Sequence, residues 1–205
     1  PIKMLVKKSR RKEGSPDDKP EYETVEEVGT VNSMTPLWQR KKSEVTQEDY
    51  DKFYQETFSE SDAPMSTLTV NVEGMVTYKA LLFIPAKTLG RYYTEDFKPG
   101  LQLYSSGVKI MDDCADLLPD YFNFVRGVVD SPDLSLNISR ELLQHDRQLK
   151  VMAKAIEKKI KSELQKMLNT DREKYEKFFD EFGASLKFGV YSDYGMHKDE
   201  LIDLL

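Results

Sequence analysis

Cysteine is nearly absent from this chain, which has only Cys114 among its 205 residues. A lone cysteine cannot form an internal disulfide, and its rarity is typical of proteins from a reducing compartment such as the cytoplasm. Long apolar runs are also missing, because the longest, residues 80–86, is far shorter than the ~20 residues of a membrane-spanning helix. No signal peptide is visible, since cationic residues follow residues 2–6 at once. The sequence therefore predicts a cytoplasmic protein that neither enters nor crosses a membrane.

Motifs for self-sufficient catalysis are missing as well. The chain has no GxxxxGK, GxGxxG or GxSxG sequence, the patterns that hold phosphates or present a nucleophile. His145 and His197 are far apart and lack the closely spaced partners of a transition-metal site. Asp112 and Asp113 are neighbours, and on a strand they would point to opposite faces, so they would not act as a matched acid and base. We therefore expect neither a metal site nor a complete active site.

The charge is acidic overall, with a formal net charge of -6 and a pI near 5.2. This field disfavours non-specific binding to nucleic acid and to anionic membranes. The 39% hydrophobic residues suffice for one sizeable core, or for a core with a smaller helical annex. Residues 7–20 combine charge with Gly14, Pro16 and Pro20, which predicts a solvated linker that does not order itself. A basic nucleic-acid or nuclear-import patch is the less favoured alternative for this stretch.

Apolar periodicity predicts an order of helices and strands. Thr46 and the acids after it indicate a helix start. Residues 68–84 alternate as two strands joined at Glu73 and Gly74, residues 101–110 and 125–129 read as further strands, and residues 116–124 read as a short helix. The predicted buried positions of the first helix and of the two alternating strands are Tyr50, Phe53, Tyr54, Phe58, Leu68, Val70, Val72, Val76, Tyr78, Ala80, Leu82 and Ile84.

The pattern becomes helical beyond Asp130. Apolar residues at intervals of three and four predict a long amphipathic helix that ends at Asn169. Thr170 to Glu173 then offer a capping box for the next helix, and Gly183 is placed to end that helix in the left-handed conformation. The predicted buried stripe of the long helix is Leu149, Met152, Ala153, Ile156, Ile160, Leu164 and Met167. Mixed elements in this order predict helices layered on a β-sheet.

The sequence SLNISRELLQ at 135–144 carries the clearest functional signal. If a helix begins at Ser139, Arg140 and Gln144 share one face near its electropositive N-terminus, where anions bind. That pair could hold a phosphate. Spacing alone, however, favours an ordinary capped helix with a solvated arginine.

Five segments together resemble one protein family. They are SLNISRELLQ at 135–144, TPLW at 35–38, FIP at 83–85, DLLP at 116–119 and VRGVVDS at 125–131. In the order in which they occur along the chain, these segments closely resemble the middle segment of the ninety-kilodalton heat-shock chaperones, especially the bacterial type. The resemblance runs from about Val31 to Leu205. Residues 1–30 are expected to form an N-terminal strand and a charged linker, and the family has a charged linker at this point. The resemblance implies a large α-β-α sandwich at 31–168, and a helical connector at 169–205 that leads to a smaller α-β-α domain beyond the chain.

The resemblance also implies functional roles. Arg140 would reach the γ-phosphate of ATP, which is held with Mg²⁺ mainly by a separate N-terminal domain. Gln144 would hydrogen-bond the phosphate or the attacking water, and Asn137 would shape the loop. One departure is the sequence Ser105, Ser106, Gly107, which stands where many relatives have basic residues. The implied contacts for unfolded or partly folded client proteins are Trp38, Leu89, Tyr92, Tyr93 and Phe97.

For Trp38 core packing is the alternative, and for the aromatic loop at 85–100 the alternative is that it seals the core. The expected function is that of the middle segment of an ATP-dependent chaperone, inert by itself and monomeric, because dimerisation in the family uses a C-terminal domain. Two other functions stay open: a free-standing phosphoryl-transfer enzyme that uses Arg140 with Asp112 and Asp113, and an interaction scaffold in which Arg140 is incidental.

Overall fold

The computed structural model describes residues 2–11, 22–30, 35–88, 92, 97–134, 146–192, 194–195 and 197–205. The chain divides into two compact units, residues 1–36 and residues 37–205. The boundaries expected near residues 30 and 168 stay predictions. Among the described residues, no helix is both long enough and apolar enough to cross a membrane.

The first unit contains an antiparallel pair of strands, β1 (Lys3–Arg11) and β2 (Tyr22–Thr30). The prediction that the charged stretch beginning at Lys7 does not order is wrong for residues 7–11, which continue β1. Backbone pairing does not require apolar side chains, and the register sets cations opposite acids. Lys7 lies opposite Glu26, with Nζ 3.3 Å from Oε1, and Arg10 lies opposite Glu23.

A mixed sheet forms the centre of the second unit. Its described strands lie in the order β3-β4-β7-β5-β6, antiparallel except for the parallel pair β5 and β7. β4 and β7 are central, and their residues are almost all buried. The strands are β3 (Ser66–Val72), β4 (Tyr78–Ile84), β5 (Leu101–Ser105), β6 (Val108–Cys114) and β7 (Arg126–Asp130).

One face of the sheet is covered by α1 (Gln47–Phe58). The predicted start at Thr46 is confirmed, because its hydroxyl accepts from the Asp49 N–H while the Asp49 carboxylate accepts from the Thr46 N–H. The predicted stripe is confirmed too. Tyr50 and Tyr54 are buried with Leu81, Phe83 and Val128, and Phe53 and Phe58 are half-buried against them.

The opposite face packs against α2 (Arg147–Thr170) and α3 (Arg172–Ser192). The predicted stripe of α2 is buried from Leu149 to Met167, with Ala153 half-buried. α3 adds Tyr175, Phe178 and Phe182, and α4 (Lys198–Leu201) follows. Helices on both faces of a sheet confirm the predicted α-β-α class.

Two local predictions between residues 101 and 124 are wrong. Residues 101–110 are not one strand but contain β5, a tight turn and the start of β6, because Ser106 (φ 50°) and Gly107 (φ 80°) take the left-handed conformation that reverses a hairpin. Residues 116–124 are not one helix but contain two short 3₁₀ turns, Ala115–Leu117 and Asp120–Phe122. Pro119 lies between them and has no N–H to continue a helix.

The junction of α2 and α3 also differs from the prediction. α2 runs to Thr170, whose hydroxyl donates to the Lys166 carbonyl, and Asp171 caps α3 by accepting from the Lys174 N–H. Gly183 does not end α3. It is buried inside that helix, where its missing side chain makes room for the Phe179 ring.

Candidate functional site

The segment that carries Arg140 begins from a fixed point at the end of β7. The buried Ser131 N–H donates to the Tyr104 carbonyl, and its hydroxyl donates to the Thr77 carbonyl over 2.7 Å. Leu134 is also buried, and its carbonyl accepts from the Ser105 hydroxyl over 2.6 Å. These contacts join the chain after β7 to β5 and to the start of β4.

A second fixed point follows the segment at Asp146. Its Oδ1 accepts from the Gln148 N–H at 2.7 Å and from the Leu149 N–H at 3.1 Å, which makes Asp146 the N-cap of α2. The helix that carries the buried stripe therefore begins at Arg147. Both ends of the segment 135–145 are held on the same folded unit.

The predicted phosphate-contacting residues lie outside the described residues. Asn137, Arg140 and Gln144 all fall within 135–145, as does the predicted helix start at Ser139. Their roles stay predictions, and the geometry establishes only how the flanking residues are anchored.

Trp38 is half-buried and anchored. Its Nε1–H donates to Oδ2 of Asp130 over 2.9 Å, and its ring packs on Tyr104 at a centroid distance of 4.8 Å and on the edge of Phe53 at 6.0 Å. The side chain thus combines the two alternatives weighed for it, core packing on one side and partial exposure on the other. Its contact with client proteins stays a prediction.

Asp130 and Gln39 are the residues that sequence reasoning missed here. Asp130 is 4% exposed, and its carboxylate accepts from Trp38 Nε1, from Gln39 Nε2 at 2.8 Å and from the Gly107 N–H at 3.1 Å. The only signal in the sequence was an acid at the end of an apolar strand. Nothing local indicated that two of its partners, Trp38 and Gln39, would be about ninety residues away.

The two described aromatic side chains of the loop at 85–100, Tyr92 and Phe97, are half-buried. Tyr92 packs on Phe97 at 4.7 Å and on Phe182 of α3 at 6.4 Å, and its hydroxyl bonds to that of Ser185. The Arg126 guanidinium lies 4.8 Å from the centroid of the Phe97 ring. At these two positions the loop covers the core, because both rings have partners below them. Leu89 and Tyr93 lie outside the described residues.

The start of this loop is tied to α3. The Thr88 N–H donates to Oε2 of Glu181 over 2.8 Å, and the Thr88 hydroxyl donates to the Glu181 carbonyl over 3.0 Å. Hydrogen bonding from the Thr88 backbone lowers the pKa of the Glu181 carboxyl below its ordinary value of 4.5.

Metal ligation finds little support in the part of the chain that the structure describes. Among those residues no group of three His, Cys, Asp or Glu side chains could hold a metal ion. Asp112, a ligand in the enzyme alternative, instead accepts from the Lys109 ammonium over 2.9 Å.

Comparison with known proteins identifies close relatives. A family model described as Hsp90 protein matches residues 3–205. The chain is 60% identical to the chaperone protein HtpG of Oceanobacillus iheyensis and 57% identical to that of Bacillus subtilis, in each case over all 205 residues and 32% of the relative. It spans about a third of the length of these curated relatives.

A solved structure matches the fold. The middle domain of a heat shock protein from Plasmodium falciparum superposes with a TM-score of 0.70 and 28% sequence identity, covering 83% of this chain and 64% of that one. The sequence and the fold thus point to the same segment of the same kind of protein.

Proposed function

Because this chain belongs to the Hsp90 family and corresponds to its middle segment, we propose that it completes the ATPase site of a separate nucleotide-binding domain and helps to bind client proteins. The observation that carries the proposal is the match of the whole chain to about a third of chaperone proteins of known family. The partners would be the N-terminal nucleotide domain, a C-terminal dimerisation domain and unfolded or partly folded proteins, in the cytoplasm.

Arg140 is the residue on which the catalytic part depends. Its guanidinium stays charged at any relevant pH and can hold two phosphate oxygens at once, so it offsets the charge that develops during phosphoryl transfer. Gln144 adds a hydrogen bond to the phosphate or to the attacking water, and Asn137 holds the loop in shape. When held by the separate domain, ATP would supply the reacting phosphoryl group and Mg²⁺ would offset the negative charge of its phosphates.

The anchoring of the flanking residues supports this role. A guanidinium that must reach across a domain boundary needs a rigidly held backbone, because a misplacement of about 1 Å can cost about 10²-fold in rate. Leu134 and Asp146 hold the backbone on the two sides of the segment.

Arg140→Ala in the full-length protein tests the proposal. We expect ATP turnover to fall by about 10³-fold, as for other arginine fingers, while the urea midpoint of unfolding stays unchanged. Arg172→Ala is the control, because this exposed arginine pairs with Glu176 on the surface of α3. Unimpaired turnover in the Arg140 variant would contradict the proposal.

Mixing the isolated chain with its nucleotide-binding domain separates the remaining alternatives. Hydrolysis by the chain alone would favour a free-standing enzyme. No change in turnover on mixing would favour a scaffold without a catalytic role. Turnover that rises on mixing, and rises only with Arg140 present, is the result that we expect.

A further inference from the structure

A groove of about 310 Å³ lies on the α1 side of the sheet, between the segment that follows Leu37 and strands β3 and β4. The 3₁₀ turn Leu37–Gln39 and residues 40–42 form one wall, and of the second 3₁₀ turn, Lys42–Glu44, only Lys42 lines the groove. We call it the basic groove, and the lining residues that matter below are Leu37, Trp38, Lys41, Lys42, Tyr50 and Lys79.

The charge of the basic groove is opposite to that of the chain. Arg40, Lys41, Lys42 and Lys79 line it, and none of the described lining residues is acidic, although the chain has a net charge of -6. Lys41 and Lys42 are exposed, and Lys79 is half-buried. A local cluster of cations on an acidic protein attracts anions to that place alone.

Two carboxylates beside the basic groove, those of Asp130 and Asp49, are engaged by other donors. Asp130 lies opposite Lys79 across the strand pair and accepts from Trp38, Gln39 and Gly107. Asp49, whose pKa is lowered first by the Thr46 backbone and to a lesser extent by Arg40, is held in the capping box of α1. The charge of the lysines therefore faces the groove without a carboxylate in its lining.

The groove also has an apolar side. Leu37, Trp38 and Tyr50 line it together with the lysines, and its volume is near the lower end of the roughly 300–1,000 Å³ range of ligand clefts. β3 is an edge strand of the described sheet, and its residues Thr69–Asn71 border the groove. An edge strand favours an extended polypeptide over a compact ligand.

We propose that the basic groove binds an extended acidic peptide segment of a partner protein, in which carboxylates flank an apolar side chain. The carboxylates face Lys41, Lys42 and Lys79, and the apolar side chain packs against Leu37, Trp38 and Tyr50. This assignment rests on the client-binding function proposed above and gives that contact a chemical class.

Trp38 is the only tryptophan of the chain, so its fluorescence reports on the groove directly. The 205-residue chain is titrated with a synthetic peptide that alternates glutamate and leucine, and separately with one that alternates lysine and leucine. We expect the glutamate peptide to bind and change the Trp38 emission, with an affinity that falls as salt is added. The net charge of the whole chain would favour the lysine peptide. Attraction by the groove and attraction by the net charge therefore predict opposite orders of affinity for the two peptides.

A pair of double variants tests the site itself. Lys41→Glu with Lys42→Glu should weaken binding of the glutamate peptide about tenfold, the effect of losing two exposed ion pairs. Lys158→Glu with Lys159→Glu changes the net charge equally on an exposed part of α2 and should leave affinity unchanged. Circular dichroism melts check that both variants are folded.

Three results would overturn the assignment: equal responses to the two peptides, equal affinities of the two double variants, or a concentration-dependent dimer that shields Trp38 without peptide. The last result would assign the groove to a second copy of the chain. Failure here is distinguishable from failure of the proposed function. If the full-length protein still suppresses aggregation of an unfolded client, and Arg140→Ala still removes turnover, only the peptide chemistry is wrong.

Discussion

At the scale of single residues, the buried Asp130 connects parts of the second unit that lie far apart along the chain. One buried carboxylate joins the segment of Trp38 and Gln39 to the hairpin turn at Gly107. Such an acid stabilises through its hydrogen bonds, and its loss leaves several donors without an acceptor. It also determines how Trp38 is presented at the basic groove.

Asp130→Ala should therefore lower the free energy of unfolding by about 2–4 kcal/mol, because three hydrogen bonds to a buried carboxylate are lost. The emission of Trp38 should shift to longer wavelength in the native state, because its ring becomes more mobile and more exposed to solvent. Urea unfolding followed by fluorescence measures both effects. Asp116→Ala is the control, since that side chain is exposed in a 3₁₀ turn, and a loss of equal size in the control would contradict the role given to Asp130.

At the scale of elements, close packing of α3 depends on a glycine in its last turns. A Cβ at Gly189 would lie 2.6 Å from the Cβ and Cδ1 atoms of Tyr121. The Tyr121 hydroxyl also donates to Glu157 of α2 over 2.6 Å, so the Tyr121 ring is held between α2 and α3. The glycine costs helix propensity but allows the 3₁₀ turn to approach α3.

Gly189→Ala should consequently destabilise the protein by about 1–3 kcal/mol through overpacking, although alanine favours helices. Gly74→Ala is a matched control, because a Cβ at Gly74 would have no neighbouring atom within 4 Å, and we expect a change below about 0.5 kcal/mol. Thermal unfolding followed by circular dichroism decides the sign. A more stable Gly189 variant would show that Tyr121 moves aside easily.

At the scale of the whole molecule, the end of the described chain is tied into the helical layer. The buried Tyr175 at the start of α3 donates its hydroxyl to the Leu204 carbonyl. Leu201 and Leu204 are buried in the same apolar cluster as α2, α3 and one face of the sheet. The layer therefore holds together through residues that lie far apart along the chain.

Burial raises the pKa of Tyr175 from its ordinary value of 10.0 to about 12. The unfolded chain can release this proton near pH 10 while the folded protein retains it, so stability is complete below pH 10 and declines as pH rises from 10.0 to about 12. Burial of Tyr54 and Tyr78 raises their pKa values too and adds to the decline.

Tyr175→Phe should make that decline shallower and should lower the free energy of unfolding at neutral pH by about 1 kcal/mol, the net value of one hydrogen bond. Tyr191→Phe removes the hydroxyl of a side chain that is 82% exposed and serves as the control. Urea titrations at several pH values measure both quantities. An unchanged slope between pH 10 and pH 12 would refute the contribution of Tyr175.

The amino-acid order by itself determined the features that depend on neighbouring residues. The cap at Thr46, the alternation in β3 and β4 and the stripe of α2 follow from spacings within a few residues, which local backbone geometry converts directly into faces. The family could also be recognised from segments such as SLNISRELLQ at 135–144. The reversal at Ser106 was missed because a continuous alternation is also compatible with one longer strand.

Only the tertiary structure decided which distant residues meet. It placed Asp130 within hydrogen-bonding distance of Trp38, set Lys79 in one groove with Lys41 and Lys42, and packed Tyr121 against Gly189. These contacts join residues tens of positions apart, and their geometry depends on strand order and on how the helices pack, neither of which local periodicity encodes. A single buried carboxylate or a single glycine leaves no periodic signal in the sequence. Its role can therefore be recognised only when the packing of the sheet and the helices is known.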